Sequence, residues 1–158
     1  MVTKYSFKII LLFFVFILNV IELKSDNKMT NFEITINKAF QSYTKNELVI
    51  IDIRTVKEWK MTGVIPESYL INMHTEDFSE NPDFLSEVKL VLNKYKNKNI
   101  AFICASGSRS EIVANYFIDK NYNNISHIPD GIVGKENNGW LYLGHPIKSY
   151  DEESKAVN

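Results

Sequence analysis

The stretch Ile100–Glu111, with the sequence IAFICASGSRSE, carries most of the information about the fold. Its first four residues are apolar and are typical of a buried strand, which ends at Cys104. The spacing Ser108-x-x-Glu111 matches a capping box, so a helix is predicted to begin at Ser108. The stretch therefore predicts a buried strand, a short loop of small residues and a helix.

Strand-like and helix-like segments alternate along the rest of the chain. Alternation of this kind predicts an α/β fold, in which a central, mostly parallel sheet of about five strands has helices on both faces. Ligands in such folds bind at the carboxyl ends of the strands, where Cys104 is placed. Thr55-x-x-Glu58 predicts a second capping box, and Gly63 is a suitable helix stop. The predicted strands cover 32–36, 48–53, 69–73, 100–103 and 125–128.

The N-terminal part of the chain is predicted to be a separate segment. Lys4 and Lys8 precede an apolar run that begins at Ile9, the pattern of a secretory signal peptide. Residues 1–25 are therefore expected to direct export, with a periplasmic location. An uncleaved anchor, which would attach the protein to a membrane, and a buried N-terminal helix are the alternatives. Residues 26–150 would form one domain, and the charged residues 151–158 a flexible tail.

Composition excludes several classes of function. The 158 residues carry a formal net charge of -1, which gives no basis for electrostatic binding of nucleic acid. A single cysteine cannot form an internal disulfide. The three histidines are scattered without the spacing of metal ligands, so no metal site is predicted.

The loop after the predicted strand has the composition of an anion-binding turn. Its small residues let the backbone curl, and Gly107 can adopt a positive φ at no steric cost. Inward-facing amides and a helix N-terminus would stabilise a thiolate at Cys104. Arg109 could bind an incoming anion through its guanidinium group. A free cysteine can also simply fill space in a core, but these surroundings favour a nucleophile.

The chain resembles the rhodanese family at four places in order. The loop Cys104–Ser110 is similar to that family's Cys-x-x-Gly-x-Arg-Ser pattern, and Val49–Thr55 with Glu58-Trp59 to its first conserved block. Gly63–Ser68 resembles the Gly-His-Ile-Pro-Gly-Ala turn, with Val64 in place of histidine. Asp130–Ile132 with Trp140, Gly144 and Pro146 keeps the spacing of the closing block. The resemblance spans about residues 32–147 and implies a rhodanese-like three-layer sandwich.

The resemblance implies a thiosulfate sulfurtransferase of the rhodanese type. Cys104 would take the outer sulfur of a small anionic donor as a persulfide, and a thiol or cyanide would accept it. No metal or organic cofactor is implied, because the intermediate is covalent on Cys104. The sulfur would be held by the loop residues Ala105, Ser106, Gly107, Ser108 and Arg109.

Three further residues are expected to support the loop. Ser110 follows it directly, and Asp52 with Arg54 would brace the neighbouring strand end, although an ordinary structural ion pair explains those two equally well. Between Ile132 and Trp140 the chain has several residues more than the commonest form of the family, and these are expected to form a surface loop.

Two rival functions remain. Phosphatases with related folds place five residues between their cysteine and arginine, whereas four lie between Cys104 and Arg109, so the shorter loop favours a single sulfur atom. The other rival is a module that relays its persulfide to a protein partner, which the sequence leaves open.

Overall fold

The computed structural model describes residues 32–152. The predicted signal or anchor segment, residues 1–25, lies outside the described residues, as do residues 153–158 of the predicted tail. Within residues 32–152, no helix has both the length and the apolar character needed to cross a membrane.

Strands and helices alternate along the described chain, and the four strands form one parallel sheet in the order β2-β1-β3-β4. The α/β prediction is confirmed. The elements, in chain order, are α1 (Ile36–Thr44), β1 (Leu48–Asp52), α2 (Val56–Thr62), β2 (Tyr69–Leu70), α3 (Phe84–Lys94), β3 (Asn99–Ile103), α4 (Ser108–Asp119) and β4 (Ile125–His127).

The sheet has apolar cores on both faces because successive strand residues point in opposite directions. Val49 and Ile51 of β1 face a core that α3 and α4 supply with residues such as Val88 and Phe117. Ile50 faces the opposite core, to which α1 and the segment after β4 contribute. The arrangement is the predicted three-layer sandwich.

Within residues 32–152, the sheet has four strands rather than about five. The expected edge strand over residues 32–36 is reduced to a single parallel bridge between Glu33 and His127, because α1 already begins at Ile36. The Thr35 side chain accepts a hydrogen bond from the Lys38 N–H and caps that helix. A helix start at this point ends the strand after one pair.

Strand register brings the candidate residues to one edge. Asp52 is paired with Ile103 at the carboxyl ends of β1 and β3, so Asp52 lies beside the residue that precedes Cys104. His127, at the end of β4, is paired with Phe102 on the other side of β3. The loops that follow these strands therefore meet around Cys104.

Candidate active site

Cys104 lies at the carboxyl end of β3, where the chain turns into the loop that leads to α4. Its side chain is fully buried, at 0% exposure. The backbone N–H of Gly107 donates a hydrogen bond to Sγ over 3.2 Å. A backbone amide directed at the sulfur stabilises negative charge on it.

The loop is packed against the segment that follows β4. Gly107 has a φ of 94°, and a Cβ at this position would overlap the carbonyl oxygen of Pro129. Gly131 likewise has no room for a side chain, because the backbone of Ala105 lies against it. The N–H of Ile132 donates to the Cys104 carbonyl over 2.8 Å. Two tight backbone contacts and this hydrogen bond thus fix the path of the loop.

The predicted start of α4 at Ser108 is confirmed, but its predicted cap is wrong. Ser108 was expected to cap the helix together with Glu111, but Ser108 is the first helical residue, Gly107 is the N-cap, and no side chain caps the helix. Close packing on Pro129 admits only glycine at the turn, so the cap falls one residue earlier than the capping-box pattern indicates. The capping box predicted at Thr55 and Glu58 is confirmed.

Ser110 stabilises the loop through a side-chain hydrogen bond. Its buried hydroxyl donates to the Gly107 carbonyl over 2.8 Å and lies 3.5 Å from Nδ1 of His127. Burial is the main influence on His127 and lowers its pKa, so the neutral imidazole is favoured. Sequence reasoning did not assign this histidine a role. Within residues 32–152, no three His, Cys, Asp or Glu side chains cluster as metal ligands would.

Arg109 forms a two-point ion pair with Glu58, which lies 51 positions earlier in the chain. Nη1 donates to Oε2 over 2.9 Å and Nη2 to Oε1 over 2.5 Å. Burial would by itself raise the pKa of Glu58, but hydrogen bonds from Arg109 and the Thr55 N–H outweigh it and lower the pKa to about 2. The pKa of Arg109 is raised, chiefly by its hydrogen bonds to Glu58. Glu58 is therefore a site residue that sequence reasoning recognised only as a helix cap.

Asp52 and Arg54 form a second ion pair, which is buried. Arg54 Nη2 lies 2.6 Å from Asp52 Oδ2, and its Nε is 2.9 Å from Oδ1. The same guanidinium donates to the Thr62 hydroxyl and the Gly63 carbonyl at the end of α2. These contacts fasten the end of β1 to α2.

A pocket of about 440 Å³ opens beside Arg109. Phe78 is 80% exposed on its rim with a φ of 64°, in a turn that the side chains of Thr75, Asp77 and Ser79 tie together. The pocket combines cationic, anionic and apolar side chains. Its lining consists of Thr55, Lys57, Glu58, Met61, His74, Phe78 and Arg109.

The structure brings most of the predicted site residues together. Hydrogen bonds join Cys104, Gly107 and Ser110, whereas Arg109 extends to Glu58 and Ser108 is exposed at the start of α4. Ala105 contributes its carbonyl, which accepts from the N–H groups of residues 133 and 134, and Ser106 is half-buried in the loop. Of the loop amides from 105 to 109, only that of Gly107 is hydrogen-bonded to the sulfur. Residues 135–138 of the additional segment are exposed.

Comparison with known proteins places this geometry in a family. The chain is 32% identical over 99 residues to the uncharacterized protein RP600 of Rickettsia prowazekii, covering 60% of this chain and 78% of that protein. It is 30% identical over 90 residues to the tRNA uridine(34) hydroxylase of Acinetobacter baylyi, covering 57% of this chain but only 27% of the hydroxylase. The crystal structure of Rv0390 from M. tuberculosis superposes with a TM-score of 0.59 at 23% identity, covering 75% of this chain and 97% of that one.

The family model for the rhodanese-like domain matches residues 37–137. That range begins in α1, includes all four strands and the Cys104 loop, and ends in the segment after β4. The matched range, the parallel sheet and the fold of Rv0390 agree with one another. The chain belongs to the rhodanese-like domain family.

Proposed function

We propose that this protein is a sulfurtransferase in which Cys104 is the nucleophile. The Cys104 thiolate attacks the outer sulfur of a small anionic donor such as thiosulfate, a sulfur–sulfur bond forms, and sulfite leaves with the electron pair. The persulfide then passes its outer sulfur to cyanide or a thiol, which regenerates the thiolate. The observation that carries the proposal is the hydrogen bond from the Gly107 N–H to Cys104 Sγ in a loop that ends at a helix N-terminus.

The loop geometry supports an anionic sulfur at this position. Negative charge on Sγ, or on a persulfide built on it, gains from the Gly107 amide and from the dipole of α4. Arg109 supplies a positive charge at the start of the same helix. The four-residue interval between Cys104 and Arg109 favours a small cargo over a tetrahedral phosphate.

A protein acceptor is the second candidate, and exposed apolar residues favour it. Phe78 and Met61 are 80% and 73% exposed on the rim of the pocket that Arg109 lines. Neither thiosulfate nor cyanide has apolar surface for these side chains to contact. An aromatic residue held in a left-handed conformation is strained, and strain of this kind is concentrated at functional sites. A relay protein would transfer sulfur slowly to cyanide and rapidly to one protein thiol.

The primary test is thiocyanate formation from thiosulfate and cyanide. Cys104→Ser should reduce the rate to background because the oxygen cannot form a persulfide. Ser86→Ala is the control and should leave the rate unchanged, since it removes a hydroxyl from α3, outside the Cys104 loop. Equal rates for wild type and Cys104→Ser would refute the proposal.

Mass spectrometry tests the intermediate directly. Incubation with thiosulfate under non-reducing conditions should add the mass of one sulfur atom to the wild type and nothing to Cys104→Ser. Dithiothreitol should remove the adduct. No adduct on the wild type would contradict a persulfide mechanism whatever the steady-state rate.

The proposed reaction uses no metal or organic cofactor. Activity should survive dialysis against a chelator, and loss of activity that added metal restores would contradict the absence of a metal cofactor.

Export through residues 1–25 is also part of the proposal. N-terminal sequencing of the protein from a periplasmic fraction would test export. Recovery only from the cytosol with Met1 or Val2 at the N-terminus would contradict it.

A further inference from the structure

The guanidinium of Arg109 is already engaged by a carboxylate. Both Nη atoms donate to Glu58, over 2.9 Å and 2.5 Å, and this two-point geometry is the one with which arginine binds an oxyanion. An incoming anion would need the same donors. Glu58 and an anionic donor therefore cannot both occupy this side of Arg109.

Glu58 is held in place independently of Arg109. Its Oε2 accepts from the backbone N–H of Thr55 over 2.8 Å and from the Thr55 hydroxyl over 2.9 Å. These bonds form the capping box of α2 and fix the carboxylate at the first turn of that helix. The helix cap therefore positions the carboxylate beside Arg109 whether or not the ion pair is formed.

The pair is placed so that exchange is possible. The Arg109 and Glu58 side chains are 24% and 28% exposed, and both line the pocket of about 440 Å³. Ion pairs in contact with solvent are held weakly, because water and other ions compensate the separated charges. An anion entering the pocket that offers Arg109 the same two-point contact can therefore replace Glu58.

We propose that Glu58 sets the anion affinity of the Cys104 site, because it competes with anionic donors for Arg109 and so lowers their affinity. The inference rests on the proposed function in taking Cys104 as the reacting group. Competition lowers the affinity of the site for a bare inorganic anion. A donor that makes further contacts in the pocket can still bind. Binding of anions that carry no transferable sulfur is weakened by the same factor, so Glu58 affects the overall anion affinity of the site rather than the preference among anions.

Alkylation of Cys104 in the full chain tests the competition without any sulfur transfer. Iodoacetate is anionic and iodoacetamide is neutral, so the ratio of their rates reports anion attraction and cancels differences in access to the buried thiol. Glu58→Gln should raise that ratio about fivefold, the effect expected for releasing one partly exposed ion pair. Glutamine retains a side-chain oxygen that can accept from the Thr55 N–H, so α2 keeps its cap.

Two controls separate competition from a general change in charge. Glu111→Gln removes one negative charge from the first turn of α4, where Arg109 also lies, and should leave the ratio near that of the wild type. Glu58→Gln in an Arg109→Gln background should have no further effect, because nothing remains to compete for. A persistent fivefold rise in the double variant would overturn the proposal in favour of simple charge repulsion.

Steady-state kinetics provide a second measurement. Glu58→Gln should lower the KM for thiosulfate and the inhibition constant for sulfate by the same factor of about five, with kcat retained. A higher KM, or an unchanged alkylation ratio, would mean that Glu58 only orients Arg109 and would overturn the inference. Absence of alkylation by either reagent would do so too, because the site would then be closed to anions. Loss of the proposed function has a different signature: no thiocyanate from the wild type, with the shift in alkylation ratio intact.

Discussion

Two arginine–carboxylate pairs lie at the same edge of the sheet, and they differ in burial. The Arg54–Asp52 pair is 1% and 0% exposed, while the Arg109–Glu58 pair is 24% and 28% exposed. Arg54 also donates hydrogen bonds to Thr62 and to the Gly63 carbonyl at the end of α2. Arg109 instead faces a pocket.

The difference shows that similar local geometry can serve opposite purposes. A buried charge without its partner is strongly unfavourable, so the Asp52–Arg54 pair must stay intact for the fold to hold. A solvent-exposed pair gains little from contact and can open. The first pair therefore belongs to the framework, and the second is the one that substrate chemistry can use.

Breaking the buried pair should have the largest effect on stability. Arg54→Ala leaves the Asp52 carboxylate buried without its main partner, so we expect the free energy of unfolding to fall by about 3–5 kcal/mol. Urea denaturation followed by circular dichroism measures it. Arg54→Lys, which keeps the charge but not the planar fork, should recover only part of the loss. A loss below about 1 kcal/mol would place this pair in the same class as the exposed one.

Removing the exposed arginine should instead affect function. Arg109→Ala should lower the free energy of unfolding by no more than about 1 kcal/mol, yet raise the KM for thiosulfate about tenfold or more because charge-assisted hydrogen bonds to the anion are lost. Arg109→Lys should give an intermediate KM. Unchanged thiosulfate dependence in Arg109→Ala would remove this residue from donor binding.

Acid should weaken the exposed pair in a defined range. The pKa of Glu58 is lowered from its ordinary 4.5 to about 2, so its stabilising effect is complete above pH 4.5 and disappears as the pH falls through about 2. The stability difference between wild type and Glu58→Gln near neutrality should shrink over that range. A difference that stays constant from pH 5 to pH 2 would contradict the ion pair.

Salt should produce the smallest change. Raising sodium chloride from about 0.1 M to 1 M shortens the screening length from about 10 Å to about 3 Å. The coupling energy between Arg109 and Glu58, taken from a double-mutant cycle, should fall by about half, whereas the cost of Arg54→Ala should stay within error. Equal salt sensitivity of the two pairs would remove the distinction between them.

Local patterns in the sequence predicted much of the site. The apolar run before Cys104 indicated β3, and the spacing of Thr55 and Glu58 indicated the cap of α2. Both signals are contained within a few neighbouring residues, and such signals can be read without knowledge of the fold. The parallel sheet was predicted from the alternation of strand-like and helix-like segments along the chain.

Errors arose where distant segments override local preference. Ser108 has the spacing of a capping residue, but contact between Gly107 and Pro129 moves the cap. The edge strand is an exception, because a local signal ends it: Thr35 caps α1. The pairing of Glu58 with Arg109 joins residues 51 positions apart, and no local pattern reports it. To predict this pair, one would have to know that β1 and β3 are neighbours, which places α2 and α4 close together.

The contact between Gly107 and Pro129 has a consequence for engineering the protein. The turn that presents an amide to the sulfur has no free space behind it, because the backbone after β4 occupies that space. Libraries that vary the Cys104 loop alone would mostly yield chains unable to close it. Variation of residues 129–134 together with residues 105–109 allows both halves to change shape in step, so the two segments form a single unit of design.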